Sequence, residues 1–408
     1  MDKWLAVIGI GEDGLSGLSP IAHTLIAQST LLVGGKRHLA LVPTPHQRTL
    51  IWSSPIAATI TEILRHRGQP VCVLASGDPL HYGVGVTLLR QIPIAEMIMI
   101  PAPSAFSLAC ARLGWAVTDT EQISLCGRDP ALLHSVLYPG AQVLILSADH
   151  TTPAIVAQHL TQQGFGESQM TVLERLGSPH ERQITGIAAT WDATDLAELN
   201  LLAIACTTQP AATAYSRLAG LPDTAYHHDG QLTKREVRAV TLAALAPMPG
   251  QLLWDVGAGC GSIGIEWMRT HPRCRAIAIE PRPDRQRLIA DNATALGTPS
   301  LQIVPDAAPI GLAHLPAPDA IFIGGGVTTP DVIATCWQAL RPDGRLVANA
   351  VTIESEQILY QWQSQVGGGL SRLAVHRAEP LGNFLSWKAL APVTQWVVVK
   401  RREKESGG

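Results

Sequence analysis

The seven cysteines of this 408-residue chain include no C-x-x-C pair, and an odd number without that spacing speaks against a disulfide framework or a zinc site. Reduced thiols of a cytoplasmic protein are the expectation. No run of 18 uncharged apolar residues occurs. The longest candidate, 98–117, is interrupted by Pro101, Pro103, Arg112 and Gly114, so no membrane partner is expected. The opening MDKWLAVIGIGEDG has too short an apolar run for a secretory leader. There is no basic surplus either: Lys plus Arg number 30 against 33 for Asp plus Glu, a net charge of −3, which lacks the electrostatic footprint of a nucleic-acid binder. No Pro-Pro, low-complexity segment or short-period repeat is present. No Ser/His/Asp-like or Cys/His arrangement suggests a nucleophile. The histidines, His227-His228 included, lack ligand spacing with Cys or carboxylates, so no metal is expected. What remains is 46% hydrophobic and 15% charged, enough to bury large cores over two or three domains.

The densest chemical signal is LLWDVGAGCGSIGIEW at 252–267. It reads as a buried strand, a loop built on Gly257, Gly259 and Gly261, and the opening of a helix, the context a nucleotide-binding loop requires. Ala258 and Cys260 fill the loop, with Cys260 expected to pack beneath a ligand rather than react. Asp255 stands just before the loop, and Glu280 ends the next apolar strand, AIAIE, 23 residues after Gly257. An acid at about that distance holds ribose hydroxyls in doubly wound sheets. Dinucleotide sites share the acid, but their spacing is G-x-G-x-x-G and they lack a carboxylate before the first glycine. A carboxylate there suits a cationic ligand and repels a pyrophosphate. A bare glycine turn with no ligand is the alternative.

The rest of the chain is α/β. LAVIGI is a strand followed by Gly9, Gly11 and Gly14, and Ser19 caps a helix with Pro20 at its first position. LLVGG, a helix over 56–67 and VCVLASGDPLHYGVG follow, with Gly77-Asp78-Pro79 at a strand's carboxyl end, where ligands sit in open α/β sheets. IMIPAPSAFSLACARLGW repeats strand, loop and helix, with Ser104 as cap and Ala105 next to it. Between 123 and 206, ISLCGRDP, QVLILSAD, a helix at TPAIVAQHLTQQG, QMTVLERLG and LNLLAIAC form a second α/β layer. Residues 207–230 lack apolar periodicity and are rich in turn residues, which marks a boundary. A helix over 234–245 opens the last part. It continues through AIAIE, PDRQRLIADNATAL, LQIVP, DAIFIGGG, helix 330–340, GRLVANAV, helix 354–365 and the strands LSRLAVHR and TQWVVVK.

Four segments in order, VIGIGEDGLSGLSP, LASGDPLHYGVG, PAPSAFSLACARLG and SLCGRDP, resemble motifs of the tetrapyrrole (corrin/porphyrin) methylase family. That likeness implies two α/β lobes clamping S-adenosylmethionine. Gly9 and Gly11 would shape the first loop, and Gly77, Asp78, His81, Ser104 and Ala105 would line the cofactor cleft. The family often doubles the glycine before Asp; here Ser76 stands in the first position. The stretch around 252–267 resembles the first motif of class I S-adenosylmethionine-dependent methyltransferases. With DGQLTKREVRAVTLAAL, AIEPRPDR, PDAIFIGGG and GRLVANAV, the C-terminal half resembles decarboxylating methyltransferases that act at C15 of a precorrin.

The two resemblances imply a tetrapyrrole methylase domain over 1–207, its lobes meeting near 120, a linker over 208–228 and a class I Rossmann-like domain over 229–405. They imply two S-adenosylmethionine sites and a bifunctional enzyme of cobalamin biosynthesis. Precorrin-6B would be methylated at C5 by the first half and at C15 by the second, with loss of the ring C acetate carboxyl, giving precorrin-8. In the second half Thr233, Asp255, Gly257, Ala258, Gly259, Cys260, Gly261, Glu280 and Ala308 would hold the cofactor. Lys234 is the candidate for a substrate carboxylate, its alternative being a solvated helix start. Gly324, Gly325 and Gly326 would leave room for a flat macrocycle or simply form a loop, and Asn349 would orient a carboxylate. Methyl transfer from a sulfonium needs alignment and exclusion of water, not a nucleophilic side chain. Lys234 and Asn349 are therefore candidates for assisting rather than attacking. A homo-oligomer is expected. A cobalt-precorrin substrate, a nucleic-acid base and a non-catalytic sensor role are the alternatives, and the fused arrangement favours the metal-free precorrin.

Overall fold

The computed structural model describes residues 3–42, 46–209 and 214–402; positions 210–213 of the expected linker and 403–405 of the expected last domain lie outside them. The chain divides into two compact units, Met1–Pro130 with Val136–Thr213, and Ala131–Ser135 with Ala214–Gly408.

In the first unit, LAVIGI is buried along its whole length as β1 (Leu5–Ile10) because both faces of its sheet are covered. Residues from helix Pro20–Gln28 pack on one face and residues from helix Ile56–Arg65 on the other. With β2 (Leu31–Gly34), β3 (Arg48–Ile51), β4 (Val71–Ser76) and β5 (Met97–Ile100), it forms an all-parallel sheet in the order β3-β2-β4-β1-β5. Ser19 and Ser104 cap their helices as expected, their hydroxyls accepting from the amides of Ala22 and Ser107. The second sheet is mixed. It contains β6 (Thr120–Ser124), β7 (Gln142–Leu146), β8 (Gln169–Glu174), β9 (Arg182–Ile187) and β10 (Asn200–Ala205), ordered β6-β7-β10-β8-β9. No strand signal in the sequence marks β9, an edge strand whose RQITGI pattern leaves most of its side chains exposed.

The second unit is built on β11 (Leu252–Val256), β12 (Arg275–Ile279), β13 (Gln302–Val304), β14 (Ala320–Ile323), β15 (Arg345–Ala350), β16 (Gly369–Leu373) and, after the hairpin β17 (His376–Leu381) and β18 (Phe384–Ala389), β19 (Val393–Val399). The seven-stranded order is β13-β12-β11-β14-β15-β19-β16, parallel except that β19 runs against both its neighbours. The chain leaves β11 for β12 on one side and later returns as β14 on the other. The carboxyl end of β11 is thus a topological switch point. Trp254, Trp267 and Trp396 are sealed in the cores on the two faces of this sheet.

Two expectations change here. LSRLAVHR is not one strand: it ends as β16 and restarts as β17 in a separate two-stranded sheet. No apolar alternation announces that hairpin, because its side chains are mostly exposed. The boundary segment is also more than a connector. Leu221 and Tyr226 lie in the core of the second unit, and the Gly220 and Leu221 amides donate to the buried Glu266 carboxylate. Packing of an irregular segment leaves no periodicity to read.

Candidate active sites

In the first unit a cavity of about 370 Å³ opens at the carboxyl ends of β1 and β4. Gly11, Gly77, Asp78, His81, Ser104 and Ala105 all lie on its wall. Gly9 does not; it is buried in β1, where a Cβ would sit 1.9 Å from the Gly77 carbonyl oxygen. Its role is to let β1 touch the Gly77 turn, whose carbonyl takes the Ala102 amide at 3.2 Å. Asp78 closes that turn by accepting the Leu80 amide at 2.8 Å. His81 stacks beside Tyr82 and tilts on Phe106, ring centroids 5.5 and 4.7 Å away, and the Tyr82 hydroxyl donates to the Gln122 carbonyl of β6. The turn therefore reaches from the first lobe to the second.

Arg37 and His38, two wall residues, carried no sequence signal. They explain the serine that precedes the Gly-Asp pair: the Ser76 hydroxyl meets Arg37 Nη2 at 3.0 Å and His38 Nε2 at 2.9 Å. Burial, and then the charge of Arg37, pushes the His38 pKa down to about 4, so its ring is neutral near pH 7. Arg37 is also ion-paired with Glu12 on the same wall.

A larger cavity, about 590 Å³, lies over the switch point of the second unit. Its wall brings together Thr233, Lys234, Gly257, Ala258, Gly259, Cys260, Glu280, Ala308, Gly324, Gly325, Gly326 and Asn349, drawn from the carboxyl ends of five parallel strands and the entry to helix Arg235–Leu245. Gly257 has φ +70°, and a Cβ on it would stand 2.8 Å from the Gly325 backbone. The glycines after β14 therefore admit the loop as well as facing the cavity. The Glu280 carboxylate takes the Gly259 amide at 2.9 Å and the Arg282 amide at 3.1 Å, and is 2% exposed. A carboxylate has about four lone-pair sites, so two remain for a ribose diol. A glycine cradle that a Cβ would fill and a carboxylate with lone pairs to spare fit an adenosine-type ligand.

Asp255 and Gly261 lie off that wall. Asp255 is 1% exposed beneath the loop, where Oδ2 accepts the Gly264 amide at 2.9 Å and Oδ1 has no partner among the described residues. Gly261 opens helix Ser262–Thr270 with φ +82°, pressed against Ile289. Arg282 and Arg285, which are not among the residues expected from the sequence, also stand on the wall. Their signal was the EPRPDR stretch directly after the strand, two arginines three residues apart at a helix start.

Fold and cavities together define a chain of two methyltransferase-type units. Residues 5–191 match the family model described as Tetrapyrrole (Corrin/Porphyrin) Methylases, and residues 224–400 match the Precorrin methyltransferase domain. Among curated relatives, a precorrin-6Y C(5,15)-methyltransferase [decarboxylating] of Sinorhizobium sp. is 48% identical, covering 97% of this chain and 96% of the relative. The protein of the same name from Mycobacterium tuberculosis is 42% identical over 97% of this chain and 100% of its own. The crystal structure of the C-terminal domain of precorrin-6Y C5,15-methyltransferase from Rhodobacter capsulatus is 46% identical, covering 45% of this chain and 100% of that one, with a TM-score of 0.43. The chain belongs to the family of decarboxylating precorrin-6Y C5,15-methyltransferases.

Proposed function

We propose that this chain is a bifunctional S-adenosylmethionine-dependent C-methyltransferase of cobalamin biosynthesis. It methylates precorrin-6B at C5 in the first unit and at C15 in the second, where the ring C acetate carboxyl leaves as carbon dioxide, giving precorrin-8. One observation carries the reading: a chain of this family holds two separate cavities, each at strand carboxyl ends and each on its own fold. S-Adenosylmethionine, when bound, supplies an electrophilic methyl group on a sulfonium.

The protein's part is to bind, align and exclude water. In the second unit Glu280 takes the ribose, Thr233 and Ala308 flank the cofactor, and Gly257–Gly259 allow close approach. Lys234 supplies positive charge for a polycarboxylate macrocycle, beside Arg282 and Arg285, which are ion-paired with Asp284 and Asp229. In the first unit Gly77, Asp78, His81, Ser104 and Ala105 line the cofactor cleft, and Gly11 shapes its first loop. The seven free cysteines suit a cytoplasmic setting. Incubating the full chain with precorrin-6B and methyl-labelled cofactor should transfer two methyl groups and release one carbon dioxide per tetrapyrrole. Transfer of one methyl in total, or no carbon dioxide, would overturn the reading.

Self-association belongs to the same proposal and is supported by the hairpin, where Phe384, Leu385 and Trp387 are 80, 73 and 75% exposed. Light scattering should give a multiple of the chain mass for the wild type and a lower mass for Phe384→Ser/Trp387→Ser. A monomeric wild type refutes it.

A further inference from the structure

Asn349 of β15 faces Gln395 across the antiparallel ladder with β19, and Thr241 of helix Arg235–Leu245 lies against both. Asn349 Nδ2 donates to Thr241 Oγ1 at 3.1 Å. Gln395 Nε2 donates to the same hydroxyl oxygen at 3.0 Å and to Asn349 Oδ1 at 3.0 Å, closing a ring of three side chains. Thr241 and Gln395 are sealed, at 0 and 2% exposure, and do not line the cavity; Asn349 is half-buried and does.

Only one sense of this ring satisfies every contact. As arranged, three N–H groups meet three acceptor positions, and the hydroxyl keeps its own proton to donate elsewhere. Turning Asn349 alone sets its N–H groups against those of Gln395. Turning both amides points two carbonyl oxygens at a hydroxyl with one proton. A buried donor or acceptor left facing its own kind is costly, so the Asn349 amide has one orientation. Its syn edge is used by the ring, which leaves one N–H and one lone pair of Oδ1.

We propose that Thr241 and Gln395 are positioning residues of the C15 reaction, locking Asn349 so that its remaining N–H meets a carboxylate oxygen of the bound tetrapyrrole. The inference rests on the assignment of this cavity to C15 chemistry. A donor held in place before the ligand arrives needs no reorientation on binding, which is where its advantage lies.

The test uses the full chain, precorrin-6B and labelled S-adenosylmethionine, reading C5 transfer, C15 transfer and carbon dioxide release separately. Tetrapyrrole Kd is measured independently by absorbance titration. Gln395→Glu puts an acceptor opposite Asn349 and turns the amide round. Loss of one hydrogen bond to a charged group predicts a rise of about tenfold in tetrapyrrole Kd and in KM at C15. The KM for S-adenosylmethionine and C5 turnover should not change. Thr241→Val should behave alike, and Thr241→Ser, which keeps the hydroxyl, should restore wild-type values. Because altering a sealed ring can impair folding, Asn349→Asp is the second variant. Its carboxylate still accepts from Gln395 and from the Thr241 hydroxyl, so the ring survives while the cavity exchanges its N–H for a charged oxygen, and a rise of at least about tenfold is expected. Wild-type Kd values in Gln395→Glu and Asn349→Asp would overturn the proposal, as would losses in Thr241→Val that Thr241→Ser shares. A wild type without C15 transfer, combined with the predicted Kd changes, would sink the cavity's assignment and leave the positioning intact.

Discussion

The carboxyl of Asp255 lies under the glycine loop with one oxygen on the Gly264 amide and the other without a partner among the described residues. Burial, reinforced by the charge of Glu280, pushes its pKa up to about 7. An acid whose folded pKa exceeds its unfolded value of about 3.9 binds a proton more tightly when folded. Its contribution to stability therefore falls as pH rises from about 4 to about 7 and is level above that. The whole shift corresponds to roughly 4 kcal/mol. Asp255→Asn keeps an acceptor for Gly264 and removes the titration. Its stability relative to wild type should increase across that pH window, as read by urea unfolding of the second unit; a difference independent of pH would remove Asp255 as the titrating group. A sulfonium ligand should favour the ionised form, so its binding near pH 7 should release protons in calorimetry, and S-adenosylhomocysteine should release fewer. The sequence placed an acid at this loop correctly in the chain. Its neighbours in the fold bury it beneath the loop, where it holds a proton more tightly than a free carboxyl.

At the scale of elements, the first turn of helix Arg235–Leu245 is held from behind by a buried side chain. The fully buried Arg238 guanidinium donates to Glu266 at 2.5 Å, and to the carbonyls of Thr233 and Leu221. Glu266 in turn takes the Tyr226 hydroxyl at 2.9 Å. The Thr233 end of this network is on the cavity wall, so the element that enters the site is positioned from behind. Arg238→Met leaves Glu266 buried with its cation gone and should cost about 3–5 kcal/mol. Arg238→Lys should recover little of that, because an ammonium cannot reproduce the guanidinium's fan of donors. Denaturant midpoints of the two variants check both statements; a loss below about 1 kcal/mol for Arg238→Met would contradict them. In sequence, TKREVR reads as a capped, solvated helix start. Arg235 fits that picture, but Arg238 falls on the inward face, and nothing local to it announces a partner 28 residues away in Glu266.

At the scale of the whole molecule, the two cavities are built in separate units on separate sheets, so their chemistry should be separable by substitution. Gly257 and Gly77 both have positive φ, +70° and +53°, and both meet backbone where a Cβ would go, at 2.8 and 2.9 Å. Gly257→Val should abolish C15 transfer and carbon dioxide release while sparing C5 transfer, and Gly77→Val should do the reverse. Product mass spectra with labelled cofactor distinguish the outcomes. Loss of both transfers in both folded variants would contradict separate sites.

The sequence by itself determined the two strand–glycine–helix centres, the helix caps at Ser19 and Ser104, the parallel α/β character and the glycine-turn part of each cavity wall. These signals are local: a buried strand, a turn that needs positive φ and a capped helix are written within a few residues of one another. Only the tertiary structure decided that Gly9, Asp255 and Gly261 support their loops from behind. The same holds for Arg37 and His38 joining the first wall, for Thr241 and Gln395 locking Asn349, and for the exposed hairpin after β16. Those outcomes depend on what lies across a sheet or behind a loop, and such distances in space leave no period or spacing along the chain.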